Sequence, residues 1–390
     1  MRTDVSPTEF LKIASHTAEH FGFRTVDTLR KHPACSDCYT ELTHSIAPED
    51  HEIDGVEGRI TRGLSTYCLA KLHAINGPVL LYSLDTTGEP AIVFHIFNVQ
   101  KSIAEAILIQ TNRALITELG HTEHIVHINS LGDTDSMIRY SRELTSFLRK
   151  RLDVLPTEAR EQLKKHVFHT LRHLINTDHE LSYRLPNPLE FLSDTSRKHF
   201  RDIIEFFDMT DIPYEINPRL ISNHEYYSDA LFKIEIPMTN DILPTLTIEG
   251  GRFDDFVFKK TKKKTPAVGS VAILKNHTSP TRLPRTKLDA PSVYIIQLGF
   301  GPKIRSLLLI DELRRAGIMV WQDLANDSLS AQLRDAEDKL ASYVIIIGQK
   351  EYVDGTAIVR DMKARKQEAV PFNQLAKRIK RVAEQKSLSR

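Results

Sequence analysis

Several groups of side chains in this sequence have types and spacings that could do chemistry. Cys35-Ser36-Asp37-Cys38, with His32 three residues upstream, has half the ligand spacing of a tetrahedral zinc site. The other half would have to come from Cys68, His44 or His51. No second close pair exists, so a surface turn with free thiols is the simpler reading and we expect no metal. The run Lys259-Lys260-Thr261-Lys262-Lys263-Lys264 crowds ammonium groups together, either as a solvated loop or as a loop that contacts phosphates. Lys377, Arg378, Lys380 and Arg381, followed by Lys386 and Arg390, pose the same choice between a phosphate-binding tail and the solvated end of an amphipathic helix. The histidines of the stretch GHTEHIVHIN flank or sit in a short strand and read as exposed or structural. The chain has no glycine loop of the Walker type and no nucleophile elbow.

The bulk properties narrow the setting. A chain of 390 residues suggests about two or three domains. Its formal net charge of +1 creates no global field, so any nucleic-acid contact must come from local patches such as those above. No apolar run reaches the roughly 18 residues that a membrane span needs. Charges stand near the N-terminus where a signal peptide would need its apolar stretch, and three cysteines make no disulfide framework. The expected setting is cytoplasmic.

The elements that must position these groups can be read from periodicity. Ser6 and Pro7 start a helix whose apolar positions are Phe10, Leu11, Ala14, Ala18 and Phe21, and Gly22 stops it. A second helix runs from about Ser102 to Leu119. Ile125, Val126 and Ile128 make a short buried strand, Gly132-Asp133 a turn, and Thr134 or Asp135 the cap of the next helix. Residues from about 152 to 210 read as mostly helical, broken at Pro186 and Pro188. The Pro- and Thr-rich stretch at about 278–291 reads as a linker, which divides the chain into residues 1–277 and 292–390. Beyond it, VYIIQLG, IMVWQDL and YVIIIG are strands. A helix containing Ile304, Leu307, Leu308 and Leu313, and another from Leu329 to Leu340, alternate with them. This order predicts a largely parallel sheet covered on both faces.

The stretches LRRAGIMVWQD, SLSAQLRDAEDKLASYVIIIGQKE and GTAIVRDMKARKQEAVP resemble the anticodon-binding domain of class II aminoacyl-tRNA synthetases, in the order and spacing of the histidyl type. Upstream, INSLGD, LISNHEYYSDALFKIE, GGRFDDFV and FHIFNV with Ala104-Glu105 resemble elements of a histidyl-tRNA synthetase catalytic domain. The resemblance implies an α+β domain built on a class II antiparallel sheet over residues 1–277. A smaller α/β anticodon-binding-like domain would follow over 292–390. It also implies a homodimer and a tRNA or other structured RNA as partner. The residues that match a ligand pocket are Arg62, Thr66, Glu225, Tyr226, Tyr227, Gly250, Gly251 and Arg252.

The chemistry of adenylate formation needs positioned guanidinium groups, because charge builds on the phosphoryl oxygens; each such group is worth about 2.7–4 kcal/mol of barrier by analogy with an oxyanion-hole donor. Those groups are missing. No arginine stands between Arg62 and Arg113, where motif 2 should lie, and Ala91 or Ile92 falls at the basic loop position. The arginine of the histidine-binding signature falls on Ser222. That of motif 3 falls on Asn276, beside Lys275. The glutamate expected to hold the substrate ammonium falls on Leu64, and the motif 2 glutamine on Ile96. The resemblance therefore implies a non-catalytic, RNA-binding protein with no cofactor and without ATP binding. Two alternatives stay open. One is a histidine–tRNA ligase in which Lys71, Lys101 or Lys275 replaces an arginine as a point charge. The other is a regulatory subunit of a biosynthetic enzyme, although the known regulator of ATP phosphoribosyltransferase generally lacks the C-terminal domain.

Overall fold

The computed structural model describes residues 5–26, 55–62, 75, 77–221, 226–237, 245–277 and 291–387. The chain begins with α1 (Pro7–His20), whose start is set as the sequence predicts: the Ser6 side chain accepts from the Glu9 backbone N–H. Phe10, Leu11, Ala14 and Ala18 form its buried stripe. After the short β1 (Arg24–Thr25) and α2 (Gly55–Arg62), the hairpin β2 (Val79–Asp85) and β3 (Ala91–Phe97) leads to α3 (Ile103–Glu118). Then come β4 (Ile125–Ser130) and the helices α4 (Thr134–Arg149), α5 (Thr157–Lys165), α6 (Val167–Asn176) and α7 (Asp194–Met209). The N-cap of α4 is Asp133, not Thr134 or Asp135; its carboxylate accepts from the Ser136 N–H at 2.9 Å. Gly132 immediately before it has φ 73°, so the turn falls where the sequence predicts it while the helix is capped one residue earlier than expected.

β5 (Tyr214–Ile216), β6 (Ser228–Glu235), β7 (Leu246–Arg252), α8 (Asp254–Thr261) and β8 (Ala267–Leu274) complete the first sheet. Its strand order is β1-β2-β3-β8-β7-β6-β4-β5. The interior pairs are antiparallel, as predicted, while β1 on β2 and β5 on β4 are parallel at the two edges. One face of this sheet, carrying Ile92, Phe94, Ile96, Ile248, Phe232, Val268 and Ala272, packs under α1, α3 and α7. The other face carries Val93, Phe97, Val271 and Ile273 and packs against Ile60 of α2 and Phe256 and Val257 of α8.

The predicted linker, 278–291, lies outside the described residues apart from its last position. The second sheet follows. It contains β9 (Val293–Gln297), β10 (Val320–Gln322), β11 (Tyr343–Ile347), β12 (Thr356–Asp361) and β13 (Gln367–Pro371), in the order β10-β9-β11-β12-β13. The helices between are α9 (Phe300–Arg315), α10 (Leu329–Asp338), α11 (Gln349–Val353) and α12 (Phe372–Ser387). The first three strands are parallel, but β12 and β13 run antiparallel. The largely parallel sheet is thus corrected to a mixed one. The cause is the connection β11-α11-β12: five helical residues are too few for a right-handed crossover, so the chain turns back on itself. Among the described residues no helix is long and apolar enough to cross a membrane.

The two sheets share one apolar core. Ile304, Leu307 and Leu313 of α9 join the same buried cluster as Leu11 and Ala14 of α1 and Ile107 and Leu115 of α3. Polar contacts fix the angle of the joint: Arg314 Nη1 to Glu118 Oε1 at 2.7 Å, Gln322 Nε2 donating to the Phe21 carbonyl at 3.1 Å, and the Arg24 guanidinium 4.4 Å over the Trp321 ring. Because no apolar boundary separates the two halves, they should melt as a unit. Scanning calorimetry is expected to give a single unfolding transition, and Leu307→Ala should lower stability by about 2–5 kcal/mol while keeping that transition single. Two resolved transitions would contradict the shared core.

Candidate functional site

Strand β7 ends in Gly250-Gly251-Arg252, and alternation along the strand sends its side chains to opposite faces. Arg252 points to the helical face, where it is wholly buried. Its Nε and Nη2 donate to Glu105 Oε1 and Oε2 at 2.8 and 2.9 Å, a two-pronged pair, and its Nη1 donates to the Val99 carbonyl at 3.2 Å. Glu105 opens α3 and is itself 0% exposed. The second strand of the network is His199 on α7, with Nε2 2.9 Å from Glu105 Oε1. Asp254 at the start of α8 lies 3.4 Å from Arg252 Nη1 and accepts from the Ala267 N–H at 2.6 Å.

This packing shifts each proton equilibrium. Burial alone would raise the Glu105 carboxyl, but the Arg252 guanidinium and the His199 ring outweigh it and hold it down at about 2. Burial works against charge on His199, and the Glu105 carboxylate reverses that, so the ring's pKa is raised. Asp254 goes the other way: burial dominates over the pull of Arg252 and pushes it up to about 6. Arg252 is therefore an internal clamp that joins β7, α3, α7 and α8. The expected role of Arg252 in a ligand pocket is corrected by this geometry, and Gly250 goes with it. A Cβ on Gly250 would lie 2.5 Å from the Gly269 carbonyl and 2.6 Å from Ser270 Cβ, so this glycine serves close strand packing.

The opposite face holds the other matched residues. Gly251 lets the Tyr227 ring lie against the sheet, since a Cβ there would meet Tyr227 Cδ1 at 2.9 Å and the Ala230 carbonyl at 2.7 Å. Tyr226 packs edge-on to Tyr227, with centroids 4.8 Å apart, and stacks on Phe253 at 5.2 Å. His95 of β3 belongs to the same face, stacked on Phe97 at 5.8 Å. It donates from Nε2 to the Ile60 carbonyl at 2.7 Å, and burial lowers its pKa to about 4, so the ring is neutral. The motif 2 position expected to face a ligand, Ile96, points the other way into the helical core. His95, which sequence reasoning passed over, takes its place on this face. Tyr226 Oη, Tyr227 Oη and His95 Nδ1 are buried without a hydrogen-bond partner among the described residues. Burial raises both tyrosine pKa values well above the ordinary range, so these hydroxyls stay neutral and could only exchange hydrogen bonds.

The remaining expectations sort as follows. Arg62 ends α2; Thr66, Glu225, Ser222, Leu64, Lys71 and the Cys35–Cys38 turn with His32 lie outside the described residues. Lys275 does not reach into a cleft: its Nζ pairs with Glu89 Oε2 at 2.9 Å, and the same Glu89 accepts from the Asn276 N–H at 3.2 Å. Lys101 pairs with Asp327 across the domain joint. Arg59, whose approach to the β2–β3 turn the sequence does not announce, is tied to the Glu89 carbonyl at 2.7 Å. The lysine run is not all loop. Lys259 and Lys260 form the last turn of α8, Lys262 takes φ 57°, and Lys262, Lys263 and Lys264 are exposed. On α12, Lys377, Lys380 and Arg381 are exposed, while Arg378 Nε is bound to Glu368 Oε1 at 2.5 Å. This ion pair ties α12 to β13.

Removing one partner of the buried clamp leaves the other charge unpaired, so Glu105→Gln should destabilise the protein by about 3–5 kcal/mol at neutral pH. The sign of the pH dependence follows from the two carboxyls. Glu105, lowered from 4.5 to about 2, contributes stability that is complete above 4.5 and lost as pH falls toward 2. Asp254, raised from 3.8 to about 6, contributes stability complete below 3.8 and lost as pH rises through 6. Urea unfolding across pH should therefore show the cost of Glu105→Gln shrinking below pH 4.5. A cost that is flat with pH would refute the clamp.

Residues 293–382 match the family described as the anticodon binding domain. A histidine–tRNA ligase from Fervidobacterium nodosum is 29% identical over 300 residues, 75% of this chain and 70% of the relative. One from Geobacillus thermodenitrificans is 30% identical over 252 residues, 64% of this chain and 59% of the relative. The crystal structure of apo histidyl-tRNA synthetase from S. aureus is 17% identical with a TM-score of 0.41, covering 77% of this chain and 76% of that one. The chain is thus similar to histidine–tRNA ligases over most of its length and matches the anticodon binding domain over residues 293–382.

Proposed function

We propose that this protein binds tRNA or another structured RNA through its C-terminal domain and does not form an aminoacyl adenylate. The observation that carries the reading is the fate of the cations. Adenylate chemistry requires guanidinium groups facing the nucleotide, and on the tyrosine face the described part of β3, β7 and β8 offers none. The one arginine retained in the glycine-rich signature, Arg252, is turned to the helical side and neutralised by Glu105. Lys275 and Lys101, two of the substitutes the sequence offers, and Arg59 are each held by other partners. Aromatic and aliphatic side chains, among them Phe97, Tyr226, Phe253 and Phe256, pack the face instead.

RNA binding rests on the anticodon-binding domain and on the exposed cations of α12 and of the lysine run. The similarity to histidine–tRNA ligases favours the competing reading of an active ligase. One assay separates the two. Histidine-dependent exchange of pyrophosphate into ATP is expected to be absent, whereas exchange at the rate of an ordinary ligase would overturn the proposal. Filter binding of tRNA should weaken steeply with salt, and Lys377→Glu/Lys380→Glu/Arg381→Glu should lower the slope of log K against log salt by about 2–3. A salt-insensitive signal would remove RNA from the account.

A further inference from the structure

The helical hairpin of α5 and α6 presents a cleft of about 400 Å³ that the preceding reading does not use. It is lined by Gln162 and Lys165 from α5 and by His169, Arg172, His173 and Asn176 from α6. Helical spacing explains the set. Positions 169, 172, 173 and 176 share one face of α6, while Val167, Phe168, Leu171 and Leu174 on the other are buried against Tyr140 and Leu144 of α4. A helix face that is merely solvated usually interleaves both signs of charge. This one does not: every ionisable group in the lining is basic and none is acidic. The nearby Glu161 is occupied by Lys164 at 2.6 Å. Neither Lys165 nor Arg172 has a carboxylate within ion-pair distance among the described residues.

We infer that this cleft is a binding site for phosphate groups. The chemistry is specific to an oxyanion. A guanidinium fork and an ammonium can each take two or more phosphoryl oxygens, the two imidazoles and two amides add donors, and no carboxylate repels the guest. The cleft is larger than a single phosphate, so it suits a chain of phosphates, either a small polyphosphate or nucleotide tail or the backbone of an RNA. The RNA source rests on the RNA-binding reading above; the small-molecule source does not.

The test uses the full-length protein, wild type and Lys165→Glu/Arg172→Glu, with Lys165→Gln/Arg172→Gln as a milder second variant and Lys350→Glu as an exposed control. Both altered positions are exposed, and an unchanged melting temperature in the absence of ligand verifies folding. Tripolyphosphate binding is measured by isothermal titration and tRNA binding by filter retention across a salt series. At least a tenfold loss in either readout for the charge-reversed protein, absent in the control, supports the site. Loss for tripolyphosphate alone assigns a small phosphate ligand, and loss for tRNA, with a salt slope reduced by about 2, assigns an RNA backbone. Charge reversal in α12 should reduce tRNA binding and spare tripolyphosphate, so failure of RNA binding as a whole remains distinguishable from failure of this site. If both readouts are unchanged in both variants, the inference is wrong.

Discussion

The buried pair between Arg252 and Glu105 organises the first half of the molecule. Two fully buried charges are costly to remove from water, and the structure meets that cost with two direct bonds, a backbone carbonyl and two further ionisable groups. The pair fixes α3 to the end of β7, and through His199 and Asp254 it also sets α7 and α8. Because a strand must alternate, holding Arg252 on the helical side obliges Gly251 to face the other way. That in turn leaves room for Tyr227. The arrangement of the tyrosine face is thus a consequence of where one guanidinium is spent.

What that face can do follows from its contents. It has neutral polar atoms, on Tyr226, Tyr227 and His95, and on the same side Lys233 of β6 is paired with Glu249 of β7 at 3.5 Å. Neutral donors orient a guest; they do not neutralise charge developing on a phosphoryl group. Exposed cations cluster at the periphery, on α12, in the lysine run and on the α5–α6 hairpin. Such a distribution suits contacts with a phosphate backbone, which is long, exposed and uniformly charged, better than it suits a single enclosed triphosphate.

Much of the fold was readable because it is written in period and punctuation. Ser6, Pro7 and Gly22 bound α1, and the apolar run of VYIIQLG marks a central strand. The antiparallel return of β12 was not readable, since it depends on α11 being only one turn long. The site was legible at the level of motif but not of direction. Gly250, Gly251 and Arg252 stand together in sequence, yet the pleat divides them between two surfaces, and the bulge between Ser228 and Leu231 further shifts the partner strand. A signal for the clamp did exist: Glu105 is the one charged residue within the apolar run from Ile103 to Ile109, and a carboxylate buried there needs a cationic partner. Nothing in the sequence pointed to His199 as its second partner, because that contact spans 94 positions and three intervening helices.

The claim on which the functional account turns is that the tyrosine face no longer accepts a nucleotide. Isothermal titration of Mg-ATP into the full-length protein at saturating histidine addresses it without requiring turnover. The account predicts no saturable heat from that face: Tyr227→Ala, which would open it, should leave the titration unchanged. A saturable isotherm in the micromolar range that is abolished by Tyr227→Ala would contradict it.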